Sequence, residues 1–243
     1  MNYSLEDVKN SIPEEKKKID KMDIWVYYFV RPVSFYVTWV CMKFKLSANN
    51  ASFFSIIISL TGFFFLSKGT FVSILIGLII MNFWIIFDCV DGNIARVTKS
   101  SSTYGTFLDA LSGYIYMTLL YLGLGIAVFK YNHVFLEVDN KWLFIVIGSL
   151  ASISCLLPRL VDHKVTTLFK DNNSNVSDKN SYGVFKLIAL NIAGAAGLMN
   201  PLMIIFFLLN LLDLYLLIYT SIHLLICVYS ILKSIKRARS FNE

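Results

Sequence analysis

Charge is what this sequence has least of. Only 16% of its 243 residues are Asp, Glu, Lys or Arg, against 56% hydrophobic, and the mean hydropathy is +0.63. That balance excludes a disordered chain and argues against an ordinary soluble domain. Cysteine is scarce as well. Cys41, Cys89, Cys155 and Cys227 lie scattered in or beside apolar segments with no CxxC pair, so they read as small core residues and not as a zinc or disulfide framework. An apolar leader is also missing: the first 23 residues are polar and include Lys16-Lys17-Lys18, so no cleavable signal is expected.

What is present is a series of long uncharged stretches: Ala51–Ser67, Gly69–Phe87, Ala110–Phe129, Trp142–Pro158, Leu187–Leu212 and Leu214–Leu232. A bilayer core needs roughly 20 consecutive apolar residues per helix, and all six meet or approach that length. The expected fold is therefore an all-α integral membrane protein. A polar arm over 1–23 precedes one membrane domain over 24–240, with an interfacial helix over 24–45. Six spans follow near 51–67, 69–98, 103–129, 142–169, 184–210 and 213–235. The interfacial assignment rests on Ile24–Met42, where aromatics suited to the headgroup level surround Arg31 and Pro32. SANNAS (Ser47–Ser52) carries helix-capping chemistry ahead of the first span, and DNNSNVSDKNSYG (Asp171–Gly183) is the one long polar loop.

Basic residues set the expected topology. With a cytoplasmic N-terminus, all but Lys68, Lys130 and Lys141 of the 22 Lys and Arg fall on the inner side. That asymmetry places both termini in the cytoplasm. The net charge of +6 then reads as attraction to an anionic leaflet. Nucleic acid is not an expected partner, because the basic residues are spread over loops and form no single stripe.

The chemistry concentrates in DCVDGNIARVTKSSSTYGTFLDALSG, Asp88 to Gly113. Asp88 and Asp91 share a helix face, and Asp109 lies in the first turns of the next helix. An antiparallel pair would gather three carboxylates at the inner membrane surface, where like charges repel and burial is costly. Hard divalent cations relieve both problems, and oxygen-only ligation suits Mg²⁺, Mn²⁺ or Ca²⁺. Gly92, Ala95 and Gly105 would let a ligand or a neighbouring backbone approach closely, while Arg96 suits phosphate or carboxylate. The bland alternative is that these acids merely mark helix ends at the water boundary.

The pattern D-x-x-D-G-x-x-A-R-x8-G-x-x-x-D, matched by Asp88, Asp91, Gly92, Ala95, Arg96, Gly105 and Asp109, resembles the signature of the CDP-alcohol phosphotransferase (CDP-alcohol phosphatidyltransferase) family. SANNAS resembles the family's approach to its first span. The resemblance implies a six-helix enzyme of phospholipid biosynthesis that acts as a homodimer, with a cytosol-facing site holding two Mg²⁺ or Mn²⁺ ions. An acceptor, lipid or small molecule, alcohol or anion, would attack the β-phosphoryl group of a CDP-linked donor, and CMP would leave. It further implies that Asp88, Asp91 and Asp109 are metal ligands. Gly92, Ala95, Arg96 and Gly105 would border the nucleotide, with Asn49 and Ser52 as further candidates.

One position departs. The family's fourth aspartate, credited as general base, falls on Gly113, and no Asp or Glu follows Asp109 until Glu137. Three readings remain: an inactive relative that binds metal or nucleotide and regulates a partner; a substitute base in Tyr116 or His163; or an acceptor that arrives as an anion. Tyr116 also reads as an ordinary core donor, and His163 as polar trim at the boundary. Arg31 and Arg159 are candidate contacts for an anionic substrate, or positive-inside anchors. A solute carrier is disfavoured, since carrier sites commonly lie near the midplane.

Overall fold

The computed structural model describes residues 3–136, 138–169 and 184–241, and the polar loop Asp171–Gly183 lies outside them. No strand occurs among the described residues. The helices are α1 (Leu5–Asn10), α2 (Glu14–Met22), α3 (Arg31–Lys43), α4 (Ala48–Leu66), α5 (Phe71–Thr98), α6 (Thr103–Lys130), α7 (Leu143–Phe169), α8 (Val184–Ala193), α9 (Met199–Leu208) and α10 (Leu212–Arg239). A π-helical turn, Val26–Val30, leads into α3. Five of them, α4, α5, α6, α7 and α10, are long and apolar enough to cross a membrane.

The region expected as one span over 184–210 differs. It forms α8 and α9, ten residues each, parted at Gly194–Leu198. Freed backbone groups at the break find new partners, which is what makes a broken helix tolerable in an apolar setting. Asn200 Nδ2 donates to the carbonyls of Ala195 (2.8 Å) and Gly197 (3.1 Å), and the Leu198 amide reaches the Asn191 carbonyl at 2.8 Å.

Capping explains where the long helices start. Ser47 accepts from the Asn50 amide at 3.2 Å to open α4, and Thr70 and Ser73 form a capping box at α5. Gly69, with φ of 79°, turns the chain between them. A side chain there would run into Cβ of Lys130, so the position needs glycine on both counts. Around this hairpin α6 packs against α4 and α7, and α10 packs against α7.

A polar spine ties the bundle together. Trp84 of α5 stacks on Tyr116 of α6, centroids 3.8 Å apart, and donates its indole N–H to Ser112 Oγ at 2.9 Å. Ser112 meets Ser55 of α4 at 2.5 Å. Tyr116 donates to Asn200 Oδ1 at 2.7 Å, and Asn82 reaches the Asn200 carbonyl at 3.3 Å. In an apolar interior such groups are favourable only when paired, so these bonds select one register of α4, α5, α6 and α9.

Residues 3–23 of the segment expected as a polar arm fold onto the bundle, with α1 against α3 and α5. Val8 and Ile12 are buried, and Asp20 grips Arg31 through two bonds, Nε to Oδ2 at 2.8 Å and Nη2 to Oδ1 at 2.9 Å. Asn191 pins the end of the arm, donating to the Met22 carbonyl at 2.7 Å and accepting from the Ile24 amide at 2.9 Å. Both side chains of the Asp20–Arg31 pair are more than nine-tenths buried. Removing one partner of a buried pair costs about 3–5 kcal/mol. Asp20→Asn should therefore lower the melting temperature in detergent and open residues 3–23 to limited proteolysis; an unchanged melting curve and an intact arm would count against this clamp.

Candidate active site

The three acids meet because of one tight connection. Lys99 ends α5 in the left-handed region (φ 53°), with the Ser100 amide bonding back to the Ala95 carbonyl at 2.9 Å. Ser102 then caps α6, accepting from the Gly105 amide at 3.0 Å. The returning helix brings Asp109 alongside Asp88, close enough for the two carboxylates to interact. Asp91 is buried and oriented by Ser52 of α4, whose hydroxyl donates to Oδ2 at 2.5 Å, while the Gly92 amide donates to Oδ1. Asp88 is half-buried and Asp109 exposed.

An open cavity lies against this group. It is lined by Ala48, Asn49 and Ser52 of α4, by Asp91, Gly92 and Ala95 of α5, by Ser100–Ser102 of the turn, and by Gly105, Thr106 and Asp109 of α6. Asn49, Ser52, Asp91, Gly92, Ala95, Gly105 and Asp109, all singled out from the sequence, are thus brought together from three helices. Ser100–Ser102 and Thr106 were not singled out; a run of hydroxyls between helices reads only as a turn until the fold wraps it round a cavity. Gly105 keeps the entrance clear, since a Cβ there would stand 3.1 Å from Asn49 Oδ1 and 3.3 Å from Ser102 Oγ.

The remaining candidates divide. Gly113 is buried one turn beyond Asp109, and a Cβ on it would face Arg159 Nη1 of α7 at 3.6 Å. Arg159 is exposed, and among the described residues its guanidinium has no hydrogen bond or ion pair. Tyr116 is fully buried with its hydroxyl given to Asn200, which suits a core residue better than a base. His163, one turn past Arg159, is exposed. Arg31 is turned into the arm: Asp20 takes two of its nitrogens, and Nη1 reaches Asn93 Oδ1 at 3.4 Å.

Arg96 sits between arm and site. It donates to Asn93 Oδ1 at 2.7 Å and folds back over Gly92, where an added Cβ would be 3.2 Å from Nη1. Its Nε is buried without a partner. Asn93 and Lys16 were not anticipated as part of this region. The first reads as filler inside the motif, and the second as one of a basic run.

The donor set is all carboxylate oxygen, which suits a hard divalent cation. Among the described residues, however, no three His, Cys, Asp or Glu side chains converge tightly enough to enclose an ion. These observations agree, because Mg²⁺ usually takes one or two carboxylates and completes its shell with water and substrate phosphates. The facing pair Asp88 and Asp109, with Asp91 alongside, fits that mode of binding.

Residues 45–232 match the sequence profile of CDP-alcohol phosphatidyltransferases. No curated protein sequence matches the chain. The family is generally divalent-metal dependent. Gly105→Ala, which narrows the cavity without touching the helix core, should leave the melting temperature within a few degrees of wild type. It should weaken Mn²⁺-dependent CDP binding several-fold in calorimetric titration, and unchanged binding would remove the cavity from consideration.

Proposed function

Because the chain belongs to the CDP-alcohol phosphatidyltransferase family, we propose that it transfers a substituted phosphoryl group from a CDP-linked donor to an acceptor at the cavity between α4, α5 and α6. Membership implies membrane phosphotransferase activity with a CDP-alcohol donor and an alcohol or lipid acceptor. The observation that carries the reading is the meeting of Asn49, Ser52, Asp91, Gly92, Ala95, Gly105 and Asp109 around one cavity. With a cytoplasmic N-terminus, that cavity opens to the cytoplasm.

In this reading Asp88, Asp91 and Asp109 hold Mg²⁺ or Mn²⁺, and Ser52 keeps Asp91 aimed at the ion position. When bound, the cations neutralise the diphosphate and stabilise charge on the attacking and leaving oxygens. Asn49, Ala95 and Gly105 receive the nucleotide. The acceptor oxygen bonds to the β-phosphorus, the bond from that phosphorus to the CMP oxygen breaks, and CMP leaves with the electron pair.

No carboxylate stands at position 113 to take the acceptor's proton, so the proton leaves to water in the open cavity. A guanidinium cannot act as base, since it stays protonated throughout the working range. Arg159 instead suits an acceptor that carries an anionic group, held by charge-assisted bonds beside the point of attack. General-base catalysis is typically worth about 10²–10⁴ in rate, so turnover should be slow and not absent. A second reading, a member that binds nucleotide without turnover, is favoured by the same glycine.

Release of CMP from a panel of CDP-alcohols, in nanodiscs with Mn²⁺, separates the two. Wild type should turn over at least one donor, and Asp91→Asn and Asp109→Asn should lose activity by more than about 10²-fold, the scale of losing a principal electrostatic stabiliser. Arg159→Gln should raise KM for an anionic acceptor about tenfold, as expected for one lost charge-assisted contact. Gly113→Asp should help little, because the introduced carboxylate would pair with Arg159. Mn²⁺-dependent CDP binding with no release from any donor would favour the silent reading, and activity that survives Asp91→Asn would overturn the carboxylate account.

A further inference from the structure

The matched family region begins at residue 45, yet the chain ahead of it reaches the carboxylate site. On α2, Lys16 lies one helical turn before Asp20, on the same face. Asp20 is locked to Arg31, Arg31 touches Asn93, and Asn93 holds Arg96, so this face of α2 is linked through Arg31 of α3 to the motif-bearing end of α5. Lys16 is half-buried there, within electrostatic reach of the cations Arg96 and Arg31 and of the acids Asp88, Asp91 and Asp109.

Its neighbours give it no ordinary structural purpose. Arg31 is neutralised by Asp20, and Lys17 is paired with Glu14 at 2.7 Å. Among the described residues Lys16 has no hydrogen bond or ion pair, and the charges of Arg96 and Arg31 repel it. Burial, with the charges of Arg96 and Arg31, pulls the Lys16 ammonium below the ordinary lysine value. Two half-buried cations within electrostatic reach of each other, one with a buried Nε lacking a partner among the described residues, are favourable when they share an anion with several oxygens.

We propose that α2 is part of the active site and that Lys16, together with Arg96, binds the β-phosphate oxygens of a nucleoside diphosphate donor. The inference rests on the phosphotransferase reading and adds the N-terminal arm to it. A lysine suits the place, since a compact ammonium on a flexible stem can follow a phosphate that moves from donor to product.

CDP and CMP share everything except the β-phosphate, so the pair isolates the contact. Full-length protein in detergent is titrated with each nucleotide in the presence of Mn²⁺, and with Mn²⁺ alone. Lys16→Ala should weaken CDP about tenfold, leave CMP within twofold, and keep the wild-type melting temperature. Lys16→Arg should restore most of the CDP affinity, and Lys18→Ala, an exposed neighbour, should match wild type. Equal effects on CDP and CMP, or none on either, would overturn the role of Lys16 while leaving the phosphotransferase reading intact. Tighter Mn²⁺ binding with unchanged CDP binding would also overturn it, making Lys16 a mere counter-charge to the acids. If wild type binds neither nucleotide, the phosphotransferase reading fails and this inference falls with it.

Discussion

Everything at the candidate site depends on forcing carboxylates together at the end of a helix hairpin. Two like charges about 4 Å apart repel by about 1 kcal/mol in bulk water and by more where water is partly excluded. Asp88, Asp91 and Asp109 are held in that arrangement by backbone: the left-handed turn at Lys99, the cap at Ser102, and the hydroxyl of Ser52 on a third helix. An isolated hairpin would relax by splaying. The surrounding bundle prevents it, and the unrelieved repulsion becomes attraction for cations, whether divalent ions or the side chains of Lys16 and Arg96.

What keeps the hairpin from splaying is the hydrogen-bonded layer directly beneath it. Trp84 lies one turn below Asp88, while Ser112 and Tyr116 follow Asp109 along α6. Their bonds to Ser55 and Asn200 bring α4 and α9 into the same layer. Losing the Tyr116 hydroxyl would leave the buried Asn200 Oδ1 unpaired, at about 1–3 kcal/mol. Rigid support of this kind is what a site needs when its ligands must stay in place before any ion arrives. It also accounts for Tyr116: its hydroxyl is a strut for Asn200.

The sequence made the long apolar helices and the acid motif legible, because each is written locally. Hydropathy over twenty residues needs no partner, and Asp88, Asp91 and Asp109 show their spacing directly. The break between α8 and α9 was not legible, since Gly194, Ala195, Ala196 and Gly197 are apolar enough to continue a span. At the break Asn200 takes over the carbonyls of Ala195 and Gly197, and the Asn191 carbonyl accepts from the Leu198 amide. The docked arm was illegible for a related reason. Its hold comes from Asp20 with Arg31 and Asn191 with Met22, contacts between distant parts of the chain that charge counting reads as solvated polarity.

The site therefore divides along its chemistry. On the donor side, from Asn49 through Asp109, the side chains keep the acid and small-residue pattern of the family, and the cavity forms there. On the proposed acceptor side, no carboxylate stands at position 113, and a guanidinium from α7 that is unpaired among the described residues faces the same point. Exchanging a negative group for a positive one leaves the backbone in place but reverses the field that an incoming acceptor meets. A neutral hydroxyl loses its proton acceptor there, whereas an anion gains a charged hydrogen-bond partner. The same physics that draws cations to Asp88 and Asp109 draws anions to Arg159, about one helical turn away along α6. Selectivity for donor and acceptor can then be set by two opposite charges on a single rigid frame.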